Sequence, residues 1–220
     1  MKLPRSFYLE NDACAAARHL LGKVLVTDLD GAYTSAIISE TEAYMGVADR
    51  ASHAFAGKRT SRNEVMYAQG GSAYVYLCYG IHHLFNVVVL DADVPHAVLI
   101  RAVVPVEGFD VMQHRRPQAR TSTGGPGTLT QALGIRTTHN GEDLTGHRIW
   151  IEDRGIKIPA ERFSLVRASA WNTRARMHTC HIAIASHLRT LSKHEHTSHP
   201  LHGHTGFCGG HAQRPYRGRP

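Results

Sequence analysis

Apolar residues alternate with polar ones, or form short uninterrupted runs, along most of the chain. This pattern predicts β-strands, because successive side chains on a strand point to opposite faces. The sequence DGA at residues 30–32 is typical of a hairpin turn. The strands that we predict lie at residues 23–29, 32–44, 72–80, 84–91, 96–105 and 147–153.

Helical spacing of apolar residues predicts helices at three places. The first helix is capped by Asn11 or Asp12 and ends at Gly22. A second covers residues 106–116, and a short third follows a glycine-rich loop within residues 121–135.

A chain of 220 residues is long enough to bury one sizeable core, and it contains no internal repeats. We predict an α+β protein with a single domain, in which a mixed or antiparallel curved β-sheet forms the core between flanking helices. Residues 1–162 are expected to form this domain, and residues 163–220 a disordered C-terminal tail.

Composition excludes several classes of protein. The sequence contains no run of 18 or more apolar residues, so no transmembrane helix is predicted. The N-terminal sequence lacks the pattern of a signal peptide. The four cysteines are scattered and form no C-x-x-C pair, so neither a disulfide framework nor a zinc ribbon is predicted. We expect a cytoplasmic protein without membrane contact, associated with the nucleoid if its source is bacterial.

The formal net charge of +7 comes entirely from the tail. Residues 1–162 carry 17 basic and 17 acidic side chains, whereas residues 163–220 carry 8 basic side chains and one acidic one. The tail also holds 9 of the 17 histidines. Such asymmetry is typical of a nucleic-acid-binding arm, if the tail is a real part of the protein.

Two carboxylates lie on the predicted strand at residues 32–44. Strict alternation places Ile38, Glu40, Glu42 and Tyr44 on one face of that strand. A carboxylate buried beside aromatic rings can act as a general base on water. Taken singly, each residue also has an ordinary interpretation, since strands often carry a solvated glutamate or a packed tyrosine.

The order of five motifs distinguishes these interpretations. ETEAY followed by a histidine, then GKRTSRNEVM, YVYLCYGIHHLFNVV, VLIRAVVPVEG and GGPGTLTQALGI, resembles the alkyladenine (3-methyladenine) DNA glycosylase family. The resemblance extends from about Leu21 to about Ile151. It implies an enzyme that rotates a damaged purine out of duplex DNA and hydrolyses its N-glycosidic bond.

The resemblance also implies roles for individual residues. Glu42 matches the general base that activates the attacking water, and Arg101 matches the residue that helps to hold that water. Tyr44, His53 and Tyr76 match the pocket that encloses the extruded base.

Further positions match residues that select the base or contact DNA. Asn86 matches the residue that disfavours guanine, and Tyr79 matches the side chain that fills the gap left in the base stack. His82 stands where many members carry an aromatic residue, and we assign it no role. The residues that match the DNA-facing loop are Lys58, Arg59, Thr60 and Arg62.

This interpretation predicts the partners of the protein. The expected substrate is double-stranded DNA containing alkylated or deaminated purines, bound by a monomer that uses no cofactor and no metal. No lysine belongs to the predicted catalytic and base-pocket residues, so no Schiff base is expected and the enzyme should be a monofunctional glycosylase without lyase activity.

The tail departs from the family. A segment of the type P-R-(I/V)-G…(Y/H)-A-G…P-x-R-F is expected after residue 159, but the sequence continues ERFSLVRASAWNTRARMHTCHIAIASHLRT. Codons offset by two nucleotides across residues 166–183 permit PRVGVEYAGPDAHLPYR. We therefore hypothesise a reading-frame shift near residues 162–167, which the nucleotide sequence of the gene can test.

Two alternatives follow from this tail. It could be a genuine basic arm whose histidines, at residues 194–204, bind a metal ion. The chain could also be an inactive family member that at most binds DNA, because its closing strand is lost. Every residue of the predicted site precedes the tail, so the motifs do not separate these alternatives from an active enzyme.

Overall fold

A computed structural model describes residues 1–117, 123–157, 163–165 and 180–184. The described helices are α1 (Arg5–Leu9), α2 (Ala13–Leu20), α3 (Phe109–Arg115) and α4 (Pro126–Leu133). The strands are β1 (Val24–Leu29), β2 (Ala32–Tyr44), β3 (Ala73–Cys78), β4 (His82–Val89), β5 (His96–Glu107), β6 (Ile149–Glu152), β7 (Phe163–Leu165) and β8 (Cys180–Ile184). All six predicted strands and all three predicted helices are confirmed.

Every described strand pairing is antiparallel, which decides between the mixed and antiparallel alternatives. The strands follow the order β3-β4-β5-β2-β1-β6. The long strand β2 lies at the centre and pairs with β5 along one side. On its other side, β1 pairs with residues 32–37 and β8 pairs with residues 40–43.

Two short strands lie in the region that we predicted to be a disordered tail. The strand β8 pairs with β2 at Glu40–Ala43, and β7 pairs with β8. The rest of that region, including the histidine-rich residues 194–204, lies outside the described residues. Its disorder therefore stays a prediction.

Three register shifts interrupt the pairing of β2 with β5, and two of them are β-bulges on either side of Glu40. Ser39 is the extra residue on β2 and Arg101 is the extra residue on β5, as the register shows on either side of Glu40. A bulge shifts the alternation of side chains by one position and bends the sheet. Ile38 consequently packs in the main core, and its predicted location on the face of Glu40, Glu42 and Tyr44 is wrong.

The main core lies between the sheet and its helices. Asp12 caps α2, with its side chain accepting a hydrogen bond from the backbone N–H of Ala15 at 2.8 Å. The buried face of α2 packs on β2 and β5, and α4 packs on β4 and β5. The opposite face of the sheet is therefore left for the site. Within the described part of the chain, no helix is both long and apolar enough to span a bilayer.

The end of β5 differs from the prediction that helix begins just after Pro105. The strand continues through Pro105 to Glu107, and α3 begins only at Phe109. Pro105 pairs with Ala36 beside a register shift, which is where a strand tolerates a residue without an N–H group.

Candidate functional site

The predicted site occupies the sheet face that points away from α2 and α4. Register places Glu42 opposite Leu99 on β5, Leu99 opposite Asn86 on β4, and Asn86 opposite Tyr74 on β3. One row across four strands therefore joins the candidate base to the candidate pocket. A small second core joins residues 54–67 to β3, β4 and β5, and it packs the loop between β2 and β3 over this face.

Glu42 is held by two side chains. Its Oε2 accepts a hydrogen bond from Arg101 Nη1 at 2.5 Å, and its Oε1 accepts one from the Tyr44 hydroxyl at 3.1 Å. The Glu42 side chain is only 11% exposed, so this negative charge is largely withdrawn from water. A buried carboxylate needs such charged and hydrogen-bonding partners to remain ionised.

Arg101 joins both carboxylates of β2. Its Nε donates to Glu40 Oε1 at 3.0 Å while its Nη1 contacts Glu42, so one guanidinium lies between two carboxylates. Burial opposes the charge of Arg101, but Glu42 and Glu40 raise its pKa overall. The three side chains together carry one net negative charge. That charge favours a cationic ligand or a developing positive charge nearby.

Tyr44 remains a neutral hydrogen-bond donor. Burial raises the pKa of the Tyr44 hydroxyl well above its ordinary value, and the adjacent Glu42 carboxylate raises it further. The hydroxyl therefore keeps its proton at any physiological pH and donates it to Glu42. The sequence predicted Tyr44 as a pocket wall, and the structure adds this contact with the candidate base.

An aromatic pocket lies beside Glu42. The rings of His53 and Tyr76 have centroids 4.7 Å apart, and those of Tyr74 and Tyr76 are 5.3 Å apart. The cavity between them has a volume of about 30 Å³, which is room for water but not for a purine. Its walls must therefore move apart to admit a base. The lining residues are Tyr44, Ala51, His53, Met66, Tyr74, Tyr76 and Asn86.

His53 lies at the mouth of the pocket and is oriented by Tyr74. Its Nδ1 is 2.9 Å from the Tyr74 hydroxyl, and burial raises the pKa of that hydroxyl to about 12. Partial desolvation lowers the pKa of His53, and the positive charges of Arg62 and Lys58 lower it further. A neutral imidazole with Nδ1 bonded to Tyr74 can direct Nε2 towards a ligand.

Asn86 is fixed at the floor of the pocket. Its side chain is 2% exposed, and its Nδ2 donates to the carbonyl oxygens of Tyr74 at 3.1 Å and Leu84 at 3.4 Å. These two bonds hold the amide against the β3–β4 pair. A group held in this way can exclude a ligand by shape, because moving it would break both bonds.

The turn between β3 and β4 projects two large apolar side chains into solvent. Tyr79 is 79% exposed and Ile81 is 71% exposed. Tyr79 has φ of 51° and the following Gly80 has φ of 74°, as the two central residues of a type I′ turn require. A tyrosine in this left-handed conformation costs about 1 kcal/mol, so the exposed ring is retained at some cost in stability.

Lys58, Thr60 and Arg62 lie on the exposed loop that leads to the pocket. The backbone N–H of Thr60 donates to Asn63 Oδ1 at 2.6 Å, and Asn63 Nδ2 donates to the carbonyl oxygen of Lys58 at 2.8 Å. Arg62 donates to the carbonyl oxygen of Leu77 at 3.1 Å. The loop is therefore ordered with its cationic side chains outward, as a DNA-facing surface requires.

Arg59 differs from its neighbours in this loop. Its guanidinium pairs with Glu64 and with Asp93, each at 2.6 Å, and lies over the ring of Tyr67. These contacts compensate its charge within the protein. The predicted DNA contact of Arg59 stays a prediction, and the structure gives this residue a role in holding the loop.

Two residues that position the site, Asn63 and Asp49, were missed by the sequence. Asn63 is 2% exposed and also donates to the carbonyl oxygen of His53 at 3.0 Å. Asp49 is fully buried and accepts hydrogen bonds from the backbone N–H groups of Met45 and Ala51. Polar residues within a polar loop give no pattern from which burial can be inferred.

The histidine cluster that we considered as a metal site lies outside the described residues. Within the described ranges, no group of three or more His, Cys, Asp or Glu side chains could hold a metal ion.

A carboxylate held by arginine, an adjoining aromatic pocket and a protruding aromatic side chain are typical of enzymes that act on a base extruded from DNA. The sequence model of methylpurine-DNA glycosylases (MPG) matches residues 6–170. The match extends further on both sides than the resemblance from Leu21 to Ile151. The chain belongs to the methylpurine-DNA glycosylase family, whose members are DNA-repair enzymes.

Similar proteins agree with this assignment. A protein of Chlamydia abortus is 49% identical over 156 residues, which are 69% of this chain and 82% of the relative. A protein of Desulfitobacterium hafniense is 44% identical over 177 residues, covering 76% of this chain and 85% of the relative. One from Bacillus thuringiensis is 43% identical over 160 residues, covering 69% and 78%. All three are provisionally named 3-methyladenine DNA glycosylases.

Proposed function

We propose that this chain removes alkylated or deaminated purines from duplex DNA by hydrolysing the bond between the base and its sugar. The observation that carries the proposal is the Glu42–Arg101 pair beside the aromatic pocket. The family membership supports the class of reaction, and the side chains support the particular mechanism.

The first step is extrusion of the damaged base. A base inside a duplex is out of reach of the pocket, and unstacking it costs about a few kcal/mol, least for a damaged base. Tyr79, at the exposed tip of the β3–β4 hairpin, would occupy the vacated space in the stack. The inserted ring offsets part of the lost stacking and holds the DNA bent.

The pocket then binds the extruded purine. Its walls separate so that the base lies between Tyr76 and the loop that carries His53. Alkylated purines such as 3-methyladenine are cationic, so stacking on tyrosine gains about 1–2 kcal/mol of cation–π attraction when water is excluded. Asn86, fixed by its two backbone contacts, would oppose the amino group of a normal guanine.

Hydrolysis follows at the sugar. A water molecule beside Glu42 attacks C1′, its proton passes to the Glu42 carboxylate, and the C1′–N bond breaks with its electron pair returning to the base. A cationic purine thereby leaves as a neutral molecule. Arg101 orients both the water and Glu42, whose negative charge also stabilises the positive charge that develops on the sugar. A carboxylate that activates water opposite a leaving group follows the logic of inverting glycosidases.

No lysine lines the pocket within the described residues, which supports a monofunctional glycosylase that leaves an abasic site uncut. We also propose that the protein acts as a monomer in the cytoplasm, in contact with chromosomal DNA.

An inactive or DNA-binding-only protein is the second candidate, because the family motif at the C-terminus is absent. The pairing of β8 with Glu40–Ala43 favours the active enzyme, since it covers the side of β2 that carries Glu42.

The test is the product released from DNA. The purified chain is incubated with methylated duplex DNA and with duplexes containing hypoxanthine or ethenoadenine, and free bases are identified by mass spectrometry. We expect release of 3-methyladenine with intact abasic strands as the other product. A folded protein that binds the duplexes but releases no base would establish the second candidate instead.

A further inference from the structure

A groove with a volume of about 420 Å³ lies beside the β3–β4 hairpin and shares no lining residue with the base pocket. Helix α4 forms its floor, and its walls come from the first residues of β4, the end of α3 and the turn after α4. We call this surface the α4 groove. Its polar and charged side chains include His82, His83, Arg115, Gln131 and Arg136.

The α4 groove is cationic. Arg115 and Arg136 both line it, and no ion pair joins either of them to a carboxylate of the described residues. Arg136 is exposed. Arg59 and Arg101 near the site differ, since each is paired with two carboxylates. The positive charge of the α4 groove is therefore available to an anionic ligand.

Two glycines of α4 and its C-terminus allow His82 and Arg115 to pack closely against the helix. A Cβ at Gly127 would lie 2.8 Å from His82 Nδ1, and one at Gly134 would lie 2.7 Å from Arg115 Cζ. A side chain at position 127 would push the His82 ring away, and one at position 134 would push the Arg115 guanidinium away. Arg115 Nη1 also donates to the carbonyl oxygen of Ala132 at 3.2 Å, which fixes the guanidinium while other N–H groups stay available. The groove is thus shaped by backbone and not by mobile side chains alone.

The hairpin relates the α4 groove to the pocket. On β4, Phe85 packs in the core beneath α4, whereas Asn86 lines the pocket on the other face. Tyr79 lies at the tip, after pocket residue Tyr76 and before groove residue Ile81. A duplex entered by this tip has one strand on each side of it. The strand that delivers its base to the pocket lies on the pocket side, and the other strand lies on the α4 side.

We propose that the α4 groove binds the sugar–phosphate backbone of the strand opposite the lesion, with Arg136 and Arg115 as its phosphate contacts. This proposal rests on the proposed function for the placement of the damaged strand. Phosphodiester oxygens are the acceptors that guanidinium groups prefer, and such contacts fix a protein on DNA without reading its sequence.

The test measures binding to a duplex with one tetrahydrofuran abasic-site analogue, which fixes the register and is not hydrolysed. Phosphates near the analogue are replaced one at a time by neutral methylphosphonates, first in the opposite strand and then in the strand with the analogue. Wild type, Arg136→Gln, Arg115→Gln and the control Arg18→Gln are compared, since Arg18 is exposed on α2 away from the groove. Thermal unfolding of each variant separates lost folding from lost contact.

We expect Arg136→Gln to weaken binding several-fold and to lower the slope of log affinity against log salt by about one, as loss of one phosphate contact predicts. A methylphosphonate at one particular position of the opposite strand should weaken DNA binding by wild type but not by Arg136→Gln. The control Arg18→Gln should respond to it as wild type does. The proposal would be overturned if Arg136→Gln removed the effect of methylphosphonates in the lesion strand only, or the effect of none of them. Release of 3-methyladenine from methylated DNA is measured in parallel. If no base is released but the effect of the opposite-strand methylphosphonate still depends on Arg136, the result counts against the proposed function alone.

Discussion

At the scale of single residues, the central feature is that Arg101 lies between Glu40 and Glu42. The Nε contact with Glu40 fixes the guanidinium plane, and the Nη1 contact then fixes the Glu42 carboxylate. Glu40 thus acts on the chemistry through Arg101 and is a positioning residue. From the sequence, only the resemblance distinguished the roles of Glu40 and Glu42, whereas the hydrogen bonds in the structure show a different contact for each.

Replacing Glu40 tests this division. Glu40→Gln keeps the shape of the side chain but weakens a charge-assisted hydrogen bond, which is worth about 1.5–3 kcal/mol. We expect kcat for base release to fall about 10-fold to 100-fold, with little change in the affinity for damaged DNA. The matched control is Glu10→Gln, which removes an exposed carboxylate at the end of α1. An unchanged kcat in Glu40→Gln would show that Arg101 is held by other contacts.

His53 offers a second test at this scale. Its pKa is lowered by partial desolvation and then by Arg62 and Lys58, so folding favours the neutral ring. That contribution to stability is present above the unfolded value, about 6.5, and is lost as the pH falls through the lowered pKa of the folded state. NMR titration should show His53 titrating below 6.5, and Arg62→Gln should raise its pKa. A pKa above 6.5, or one unaffected by Arg62→Gln, would contradict this electrostatic account.

At the scale of elements, strands and helices follow from the sequence, but the bulges do not. Alternation correctly grouped Glu40, Glu42 and Tyr44, because β2 itself has no extra residue between them; the register shift after Glu40 has its extra residue, Arg101, on β5. It failed at Ile38, because the extra residue at Ser39 moves that side chain into the core. A bulge depends on how two strands distant in sequence pair, so the pattern within one strand does not contain it.

The same limit applies to the contacts between loops. Arg59 was grouped with the DNA-facing residues because it lies in a basic loop, but its partner Asp93 is 34 residues away in the chain. The positions of such partners are set by the whole sheet. Resemblance located the loop, and only the fold distinguishes Arg59 from Lys58, whose ammonium forms no ion pair with a carboxylate of the described residues.

The β3–β4 turn provides a test at the element scale. Tyr79→Asn creates the Asn-Gly sequence that type I′ turns favour and relieves the left-handed tyrosine. We expect the free energy of unfolding to rise by about 0.5–1 kcal/mol, while excision falls at least 10-fold because the inserting ring is lost. Urea denaturation and base-release kinetics on the same sample check both effects. A more stable variant with full excision would show that Tyr79 is not the inserting residue.

At the scale of the whole molecule, the C-terminal region determines whether the sheet is complete beside Glu42. The family match ends at residue 170, and β8 pairs with Glu40–Ala43 from a region where the family motif is absent. The predicted frame shift concerns the same region, and the nucleotide sequence of the gene tests it directly. The net charge of residues 1–162 is zero by composition, so we expect DNA binding by this part of the chain to depend on local cationic patches, such as the α4 groove that we propose.

Two deletions separate the parts of this region. Removing residues 185–220 leaves β8 in place and should preserve both cooperative unfolding and excision. Removing residues 163–220 also removes β7 and β8, which exposes one edge of β2, and we expect a lower melting temperature and at least 10-fold slower excision. Circular dichroism melts and base-release assays give both quantities. Equal behaviour of the two proteins would show that β8 does not support the site.

The central claim is that Glu42 activates the water that releases the base. The most direct measurement compares wild type with Glu42→Gln for binding to a duplex carrying a damaged purine and for single-turnover release of that base. General-base catalysis contributes about 10²–10⁴-fold, so the account predicts that Glu42→Gln binds the duplex as wild type does but releases base at least 100-fold more slowly. Release at the wild-type rate by Glu42→Gln would contradict it.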